Sequence, residues 1–134
     1  MTLKSFSFKT AQLGKQLFYY ENCDSTNSVA SQLLQQNKIQ AGAVVFADYQ
    51  TAGRGQQHHQ WESVAGDNLT FSVVLFPNLP VHQQFQLNIL VSLAVVEALQ
   101  PLVKGEIQLK WPNDIFYQDH KLGGILIQNN LQRS

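Results

Sequence analysis

An arginine between two glycines, near the middle of the chain, is the first group of residues that could do chemistry. It lies in the segment Gln50-Thr51-Ala52-Gly53-Arg54-Gly55. Glycines let a backbone turn tightly and approach a ligand, while amide N–H groups and a guanidinium can donate hydrogen bonds to an anion. A plain turn explains the same residues, and the third glycine of a dinucleotide-binding fingerprint is missing. The loop is therefore a candidate anion site, and a dinucleotide fold is not predicted.

Two further polar clusters follow near the C-terminal end. Lys110-Trp111-Pro112-Asn113-Asp114 places a cation, an aromatic ring, an amide and a carboxylate side by side, and Lys121-Leu122-Gly123-Gly124-Ile125 places a lysine before paired glycines. Each has a simpler explanation, because Pro and Asn-Asp favour turns, and Lys and Gly suit hairpins and bulges. The adjacent His58 and His59 have no third ligand at a useful spacing, so they do not predict a metal site.

The pattern of apolar residues predicts the elements that must position these clusters. Helices are predicted over residues 24–37 and 83–99, and strands over residues 17–21, 43–47, 69–76, 107–111, 115–117 and 122–128. Residues 48–67 have no apolar period, and so long a loop in a compact domain is usually functional or disordered. This order of elements indicates an α+β fold in which helices flank one mixed β-sheet.

Size and charge limit the function further. The chain has 134 residues, which predicts one domain, and 44% of them are hydrophobic, enough to fill a core. Nine Lys and Arg balance nine Asp and Glu, so the net charge is zero. A neutral chain has no long-range attraction to phosphate backbones or anionic lipids, and we therefore expect neither nucleic-acid nor membrane partners.

The single cysteine and the N-terminal residues bear on the compartment. Cys23 has no Cys partner for a disulfide or a thiolate metal site, which favours a reducing compartment. Lys4, Lys9 and Lys15 interrupt the first stretch, so it does not read as a secretory leader. No run approaches the ~18 to 20 uncharged apolar residues of a membrane span. The sequence predicts a cytoplasmic protein.

In their order along the chain, the motifs resemble those of the biotin protein ligases of the biotin/lipoate ligase catalytic-domain family. The matching residues cover about residues 18–128 and are Ser25-Thr26-Asn27, Gln50, Gly53-Arg54-Gly55, Trp61, Asn68-Leu69, Lys110-Trp111-Pro112-Asn113-Asp114 and Lys121-Leu122-Gly123-Gly124-Ile125-Leu126. The resemblance implies a catalytic domain of the class II aminoacyl-tRNA-synthetase-like, biotin synthetase type. It implies an ATP-dependent ligase that activates biotin to biotinyl-5′-AMP and transfers biotin to a lysine of the biotin carboxyl carrier protein of acetyl-CoA carboxylase or a related carboxylase.

The resemblance also implies roles in biotin binding. Gln50 would hold the bicyclic ring, because a urea-like ring needs neutral donors and acceptors, and burying those unpaired costs about 1 to 3 kcal/mol each. A helix N-cap remains the plainer explanation of Ser25. The implied biotin-binding residues are Ser25, Thr26, Asn27, Gln50, Gly53, Arg54, Gly55, Gln56, Lys121, Gly123 and Gly124.

For catalysis and the nucleotide, the resemblance implies a second set of roles. Lys121 would bridge the biotin carboxyl group and the α-phosphate, and Arg54 would face the same charges, so both are expected to be catalytic. Asp114 would also contribute to a Mg²⁺ site, since a carboxylate is a hard ligand. ATP, Mg²⁺ and biotin are the expected small molecules, with no tightly bound prosthetic group. The implied nucleotide-binding residues are Arg54, Trp61, Lys110, Asn113 and Asp114.

The sequence departs from the family pattern in two ways. Gln56 stands where many relatives have a second arginine, so Arg54 lacks a charged neighbour. Relatives also continue beyond the matched motifs, so we expect residues 1–134 to be the N-terminal part of the catalytic domain, without a helix-turn-helix or a C-terminal β-barrel, and with impaired activity. Sheet edges left bare by missing strands would invite pairing with a second chain, so a homodimer is one expected assembly.

Two alternative functions fit the same residues. A lipoate or octanoyl ligase or transferase shares the sheet and the lysine, although the Gly-Arg-Gly loop and Lys110-Trp111-Pro112-Asn113-Asp114 favour biotin. A non-catalytic module that binds biotin or the carrier protein without forming an adenylate is the other alternative. Biotin affinity against lipoate affinity separates the first, and adenylate formation separates the second.

Overall fold

A computed structural model describes residues 13–130, and these fall into two compact units. The first unit holds residues 13–77 and residue 130, and the second spans Asn78–Asn129. Lys4 and Lys9, on which the expectation about a leader depends, lie outside the described residues.

The first unit contains a mixed three-stranded sheet and one α-helix. Its elements are β1 (Leu17–Cys23), α1 (Thr26–Gln35), β2 (Val44–Gln50), a 3-10 helix (Gln56–His58) and β3 (Thr70–Val73). The strand order is β1-β2-β3, with β1 and β2 parallel and β2 and β3 antiparallel. Because parallel neighbours cannot be joined by a tight turn, α1 forms the crossover between β1 and β2. The register sets Cys23 beside Gln50, at the ends where the candidate site begins.

The core of the first unit lies between α1 and its sheet. On α1, Val29, Ala30 and Leu33 are buried, at spacings that place them on one face of a helix. They pack with Phe18 and with Val45, which is fully buried at 0% exposure. Burial of each such Val or Leu side chain contributes about 1.5–3 kcal/mol. This core fixes α1 against β2 and β3, and thereby positions the first turn of α1.

The second unit pairs one long helix with an antiparallel sheet. Its elements are a 3-10 helix (Val81–Gln83), α2 (Gln84–Leu99), a 3-10 helix (Gln100–Leu102), β4 (Ile107–Lys110), β5 (Asp114–Tyr117) and β6 (His120–Gly124), with strand order β4-β5-β6. Helix α2 contacts β4, and Ile107 and Ile115 are buried. Gln118 and Asp119 have φ values of 49° and 62°, the left-handed conformation that a two-residue hairpin turn between β5 and β6 requires.

Helix α2 corrects the expectation that no run approaches a membrane span. By length and composition, the helical segment Val81–Leu102 is long and apolar enough to cross a membrane, with a mean hydropathy of 1.4. Its polar residues near the middle, such as Asn88 and Ser92, are uncharged and do not interrupt the run. Only 6% of the most apolar window is buried within the described residues. One helix of this kind is weak support for a membrane protein.

The α+β class and the order of elements predicted from the sequence are confirmed, with three corrections. The predicted single sheet is wrong, because the strands form two three-stranded sheets; periodicity shows which residues face a core but not which strands pair. The predicted strand 69–76 is shorter, because its ladder with β2 covers only Thr70–Val73. The predicted strand 122–128 is displaced to His120–Gly124, because its ladder with β5 runs from the Tyr117–His120 pair to the Asp114–Gly124 pair.

Candidate functional site

The predicted site residues fall into two groups, and the first lies at the start of α1. Ser25 and Thr26 are buried, at 4% and 3% exposure. The backbone N–H and the hydroxyl of Thr26 donate to Oε1 of Gln50, at 2.8 and 3.2 Å. Ser25 occupies the N-cap position but makes no side-chain cap bond. Ser25 is thus the N-cap residue by position, as the plainer explanation has it, but its side chain forms no cap bond. Gln50, from the end of β2, accepts from the first N–H of the helix.

Ser72 joins this group, and the sequence analysis missed it. Its hydroxyl lies 2.7 Å from the Thr26 hydroxyl and donates to Oδ1 of Asn27. Ser72 belongs to β3, where alternate residues face the same side, and α1 packs against that strand. The available signal was a polar Thr70 and Ser72 at alternate positions of an apolar run. Thr26, Asn27, Gln50 and Ser72 form one hydrogen-bonded cluster, here called the amide cluster.

Gly53 follows the amide cluster in the glycine-rich loop, where any side chain would press on its neighbours. A Cβ atom at this position would lie 2.5 Å from the Trp61 carbonyl oxygen and 2.8 Å from Nε2 of Gln50. The Trp61 amide donates to the Gly53 carbonyl at 2.9 Å. The requirement for glycine thus comes from close approach of two protein groups, one of which is the Gln50 amide.

Arg54 and its neighbours form a small closed loop. The Gly55 amide donates to the His59 carbonyl at 2.7 Å. The backbones of Arg54 and Gln60 form an isolated antiparallel β-bridge. The Arg54 side chain is exposed, and its Nη2 donates to the hydroxyl of Ser28, at 2.9 Å, in the first part of α1. The sequence analysis did not identify Ser28 as a partner, because nothing in its spacing points to a residue 26 positions away.

Gln56 and Trp61 complete the predicted residues of the first unit. Gln56 begins the 3-10 helix that follows Gly55 and is half-buried. Trp61 is also half-buried, and its backbone closes the loop onto Gly53. The first group therefore gathers Ser25, Thr26, Asn27, Gln50, Gly53, Arg54, Gly55, Gln56 and Trp61 in one unit.

The second group is built on the β4-β5-β6 sheet. Lys121 Nζ lies 2.9 Å from Oδ1 of Asp114, and both side chains are partly exposed, at 43% and 30%. Asp114 is opposite Lys110 on one side and Gly124 on the other, whereas Lys121 is opposite Phe116. A register shift at Ile115 and Phe116 accompanies this diagonal contact. An ion pair this exposed contributes only about 0–1 kcal/mol to stability.

Asn113 ties the two C-terminal motifs together. Its side-chain amide donates to the Ile125 carbonyl, and the Ile125 amide donates to the Asn113 carbonyl at 3.0 Å. Lys110 places its ammonium 5.1 Å from the centre of the Phe116 ring. A Cβ atom at Gly123 would meet nothing within 4 Å, so the second glycine motif leaves open space on that face. The second group thus gathers Lys110, Asn113, Asp114, Lys121, Gly123 and Gly124 in the other unit.

Three side chains of β1 have a raised pKa. Burial, followed by the charge of Asp24, raises the pKa of the Cys23 thiol above its ordinary value of 9.0. A hydrogen bond to Asp48, followed by burial, raises the pKa of Tyr19, and burial raises the pKa of Tyr20. These side chains are neutral at physiological pH. The carboxylate of Asp24 lies at the start of the same helix, where it accepts from the Ser25 N–H at 2.8 Å.

No group of three or more His, Cys, Asp or Glu side chains that could hold a metal occurs among residues 13–130. A metal at Asp114 would therefore need most of its ligands from elsewhere. Mg²⁺ in nucleotide enzymes is commonly held by one or two carboxylates with water and substrate phosphates. A single carboxylate beside a lysine, as at Asp114 and Lys121, fits that kind of site and does not fit a cage made only of protein ligands.

A comparison with protein families gives a match that covers most of the chain. Residues 19–134 match the model of the biotin/lipoate A/B protein ligase family. The bifunctional ligase/repressor BirA of Bacillus subtilis is 36% identical over 123 residues, which are 92% of this chain and 38% of that protein. The biotin--[acetyl-CoA-carboxylase] ligase of Mycobacterium tuberculosis is 37% identical over 91 residues, 65% of this chain and 34% of that protein.

Solved structures agree on the fold. The biotin protein ligase of Aquifex aeolicus in complex with biotin and ATP matches with a TM-score of 0.70 and 35% identity, over 87% of this chain and 48% of that chain. The biotin protein ligase of Leishmania major in complex with biotinyl-5-AMP matches with a TM-score of 0.69 and 32% identity, over 87% of this chain and 53% of that chain.

The matches cover most of this chain but only part of each relative. The chain spans less than two fifths of the curated relatives named above and about half of the solved ones. Within that span, the family match covers residues 19–134, which include both groups of site residues, strands β2 to β6 and β1 from Tyr19 onward. The resemblance found in the sequence motifs is confirmed: the chain belongs to the biotin/lipoate A/B protein ligase family.

Proposed function

We propose that this chain carries the biotin- and ATP-recognising residues of a biotin protein ligase, which forms biotinyl-5′-AMP and then transfers biotin to a lysine of a biotin carboxyl carrier protein. Residues 1–134 would correspond to the N-terminal part of the catalytic domain. Support comes from the family match and from relatives named as biotin ligases or solved with biotin, ATP or biotinyl-5-AMP.

The observation that carries the proposal is the amide cluster. Its hydroxyls and amides are neutral, and the Thr26 backbone N–H orients the Gln50 amide by donating to its Oε1. A urea ring presents one carbonyl oxygen and two N–H groups, and a buried urea left unpaired would cost about 1 to 3 kcal/mol for each lost bond. Neutral hydrogen-bonding groups at a buried helix start therefore suit biotin better than the apolar dithiolane of lipoate.

The proposed first step joins biotin to ATP. A carboxylate oxygen of biotin attacks the α-phosphorus, a new O–P bond forms, and the bond from the α-phosphorus to the bridging oxygen breaks to release pyrophosphate. Lys121 and Arg54 would stabilise the negative charge of the two reacting anions, because an ammonium and a guanidinium both donate hydrogen bonds to carboxylate and phosphate oxygens. In the second step, the amine of the carrier lysine attacks the acyl carbon and AMP leaves.

Asp114 and Asn113 would serve the nucleotide. Asp114 would give one carboxylate ligand to Mg²⁺, which when bound neutralises phosphate charge. The Lys121–Asp114 ion pair, at 2.9 Å, orients the ammonium across the hairpin before substrate arrives. Trp61 would stack on the adenine, and Lys110 would contribute a further positive charge.

The partner and compartment are parts of the same proposal. The carrier protein of acetyl-CoA carboxylase is supported by the name of the Mycobacterium tuberculosis relative. A homodimer would form through an outer strand, and β1 and β3 are the outer strands of the first sheet. The half-buried, unpaired thiol of Cys23 suits the reducing cytoplasm.

The test is adenylate formation by the 134-residue chain. Incubation with biotin, ATP and Mg²⁺ followed by mass spectrometry should detect biotinyl-5′-AMP, at a level reduced relative to a complete ligase. Calorimetric titration should show tighter binding of biotin than of lipoate. Tighter binding of lipoate would support the lipoate alternative, whereas biotin binding without adenylate would support a non-catalytic biotin-binding module.

A further inference from the structure

Asp114, in the middle strand of the second sheet, has a lysine within reach on each side. Lys110 is directly opposite it on β4, whereas Gly124, which has no side chain, is opposite it on β6. In an antiparallel sheet, directly opposite residues have Cβ atoms about 4.5–5.5 Å apart, and opposite charges there attract each other. The register therefore predicts an ion pair with Lys110. Asp114 instead pairs with Lys121, which is diagonal to it, at 2.9 Å.

The aromatic ring of Phe116 accounts for this difference. Phe116 lies two residues after Asp114 on β5, so both side chains are on the same face of the sheet. The Lys110 ammonium is 5.1 Å from the centre of the ring, within the range of a cation–π interaction. Because Lys110 is exposed, its contact with the ring and an ion pair with Asp114 would be of similar strength. The ring therefore competes with the carboxylate for Lys110, and in the structure Lys110 lies over the ring.

A second carboxylate lies near the same lysine. Asp119 lines a surface hollow of about 320 Å³ together with Lys110, Phe116, Gln108 and Leu109. Its negative charge would also attract the Lys110 ammonium away from Asp114. Asp119 has a φ of 62° in the hairpin turn, a conformation that asparagine adopts readily, so Asp119→Asn removes the charge and keeps the turn. The contributions of the ring and of Asp119 can therefore be measured separately.

We infer that Phe116 is a positioning residue that holds Lys110 over its ring and thereby leaves Asp114 to pair with Lys121. Without the ring, the two lysines would share the carboxylate, and the Lys121 ammonium would spend less time in its place beside Asp114. The consequence for catalysis rests on the proposed function, in which Lys121 acts on the reacting anions. Phe116 itself touches no reacting atom and acts only through the two lysines.

The experiment follows the carboxyl carbon NMR resonance of Asp114 in the full chain without ligand. In the unmodified chain, Lys110→Met should leave this resonance almost in place, because Lys110 lies over the ring. In Phe116→Leu, which keeps an apolar side chain but has no ring, Lys110→Met should move it clearly further, because there the two lysines share the carboxylate. Phe116→Tyr keeps the ring and should behave as the unmodified chain does. Lys104→Met, which changes another exposed lysine of the same unit, is the matched control and should leave the resonance in place in every background.

Two results overturn the inference. One is an equal displacement of the Asp114 resonance by Lys110→Met in the unmodified chain and in Phe116→Leu, which is what a purely structural role of Phe116 would give. The other is a displacement by Lys110→Met in Asp119→Asn but not in Phe116→Leu, which would mean that Asp119 holds Lys110. Should Phe116→Leu melt early, Phe116→Ile, whose branched side chain suits a strand, replaces it.

Adenylate formation gives a second measurement, which depends on the proposed function. Phe116→Leu should lower kcat for biotinyl-5′-AMP formation by up to about fivefold, the factor that corresponds to one exposed ion pair, and leave KM for biotin unchanged. Phe116→Tyr should retain the rate, and an unchanged rate in Phe116→Leu would overturn the catalytic consequence. If the unmodified chain forms no adenylate, the proposed function is overturned, while the Asp114 resonance still tests the inference.

Discussion

Lys121 is the side chain on which the proposed adenylation depends most directly. Lys121→Ala removes the ammonium that we propose faces the reacting anions and should lower adenylate formation by about 10²-fold or more, the usual effect of losing one such electrostatic group. The fold should survive, because the Lys121–Asp114 pair is partly exposed and contributes little stability. Biotinyl-5′-AMP quantified by mass spectrometry gives the rate. Lys104→Ala, an exposed lysine in the same unit, should leave it unchanged, and equal rates for both variants would contradict the assignment.

Gly53 offers a test of close packing in the loop. Gly53→Val adds a branched side chain where a Cβ atom would already lie 2.5 Å from the Trp61 carbonyl oxygen. The loop must move away from Gln50, and we expect stability to fall by about 1–3 kcal/mol, together with biotin affinity. Urea unfolding measures the first and calorimetry the second. Gly123→Ala, where the added Cβ meets nothing within 4 Å, should unfold at the same urea concentration as the unmodified chain.

The residues of the candidate site were predictable to the extent that their chemistry is visible in the sequence. Gln50, Gly53 and Lys121 stand out because an amide, a glycine and a lysine interrupt local patterns, whereas Ser72 and Ser28 act through contacts 45 and 26 positions away in sequence. A serine in an apolar strand has no local mark of such a partner. Only the pairing of β3 with β2, and the packing of α1 on both, brings it to Asn27.

Among the elements, β1 controls how stability depends on pH. It carries Tyr19, Tyr20 and Cys23, all with a raised pKa. A raised pKa means that the folded chain holds the proton more tightly than the unfolded chain, so the stabilisation is complete below the ordinary values of 9.0 and 10.0 and is lost as the pH rises above them. Urea midpoints should be level from about pH 7 to about pH 9 and then fall. Tyr20→Phe should make the fall shallower, and level midpoints to about pH 11 would refute the account.

Helix α1 gives a matched pair of leucines for testing the core. Leu33 is 7% exposed, whereas the adjacent Leu34 packs against the same cluster but is only partly buried. Leu33→Ala should lower the free energy of unfolding by about 2–5 kcal/mol, because it leaves a cavity between helix and sheet. Leu34→Ala should cost clearly less. If urea unfolding gave similar losses of stability for the two variants, the burial of Leu33 would not be what holds α1 on the sheet.

How far the elements were predictable follows from where their causes lie. Helix α1 was correct in outline because apolar spacing is a local property, and α2 was correct to within a residue at each end. The ends of strands depend on partners: Leu75 and Phe76 are apolar but 43% and 64% exposed, beyond the last rung of the β2–β3 ladder. The division of the strands into two sheets depends entirely on which strands pair, and the spacing of apolar residues does not reveal the pairing.

For the molecule as a whole, zero net charge combines with apolar residues that the described fold leaves exposed. On α2, Phe85, Leu90 and Leu93 are 54%, 60% and 51% exposed, and their spacing places them on one continuous helical face. Chains without net charge do not repel one another, and a contiguous apolar patch then promotes association. We therefore expect solubility to be lowest near the isoelectric point of about 6.9.

A substitution that leaves the net charge unchanged tests the effect of the exposed α2 face on solubility separately from the effect of charge. Leu90→Gln interrupts the α2 face and should raise the protein concentration at which light scattering begins at neutral pH. Leu69→Gln removes an apolar side chain that is even more exposed, at 82%, but belongs to a loop of the other unit and not to the α2 face, so its effect should be small. Isolated apolar residues are ordinary on protein surfaces, whereas a contiguous face is not. Equal gains from both variants would mean that total exposed apolar area, and not its arrangement on α2, limits solubility.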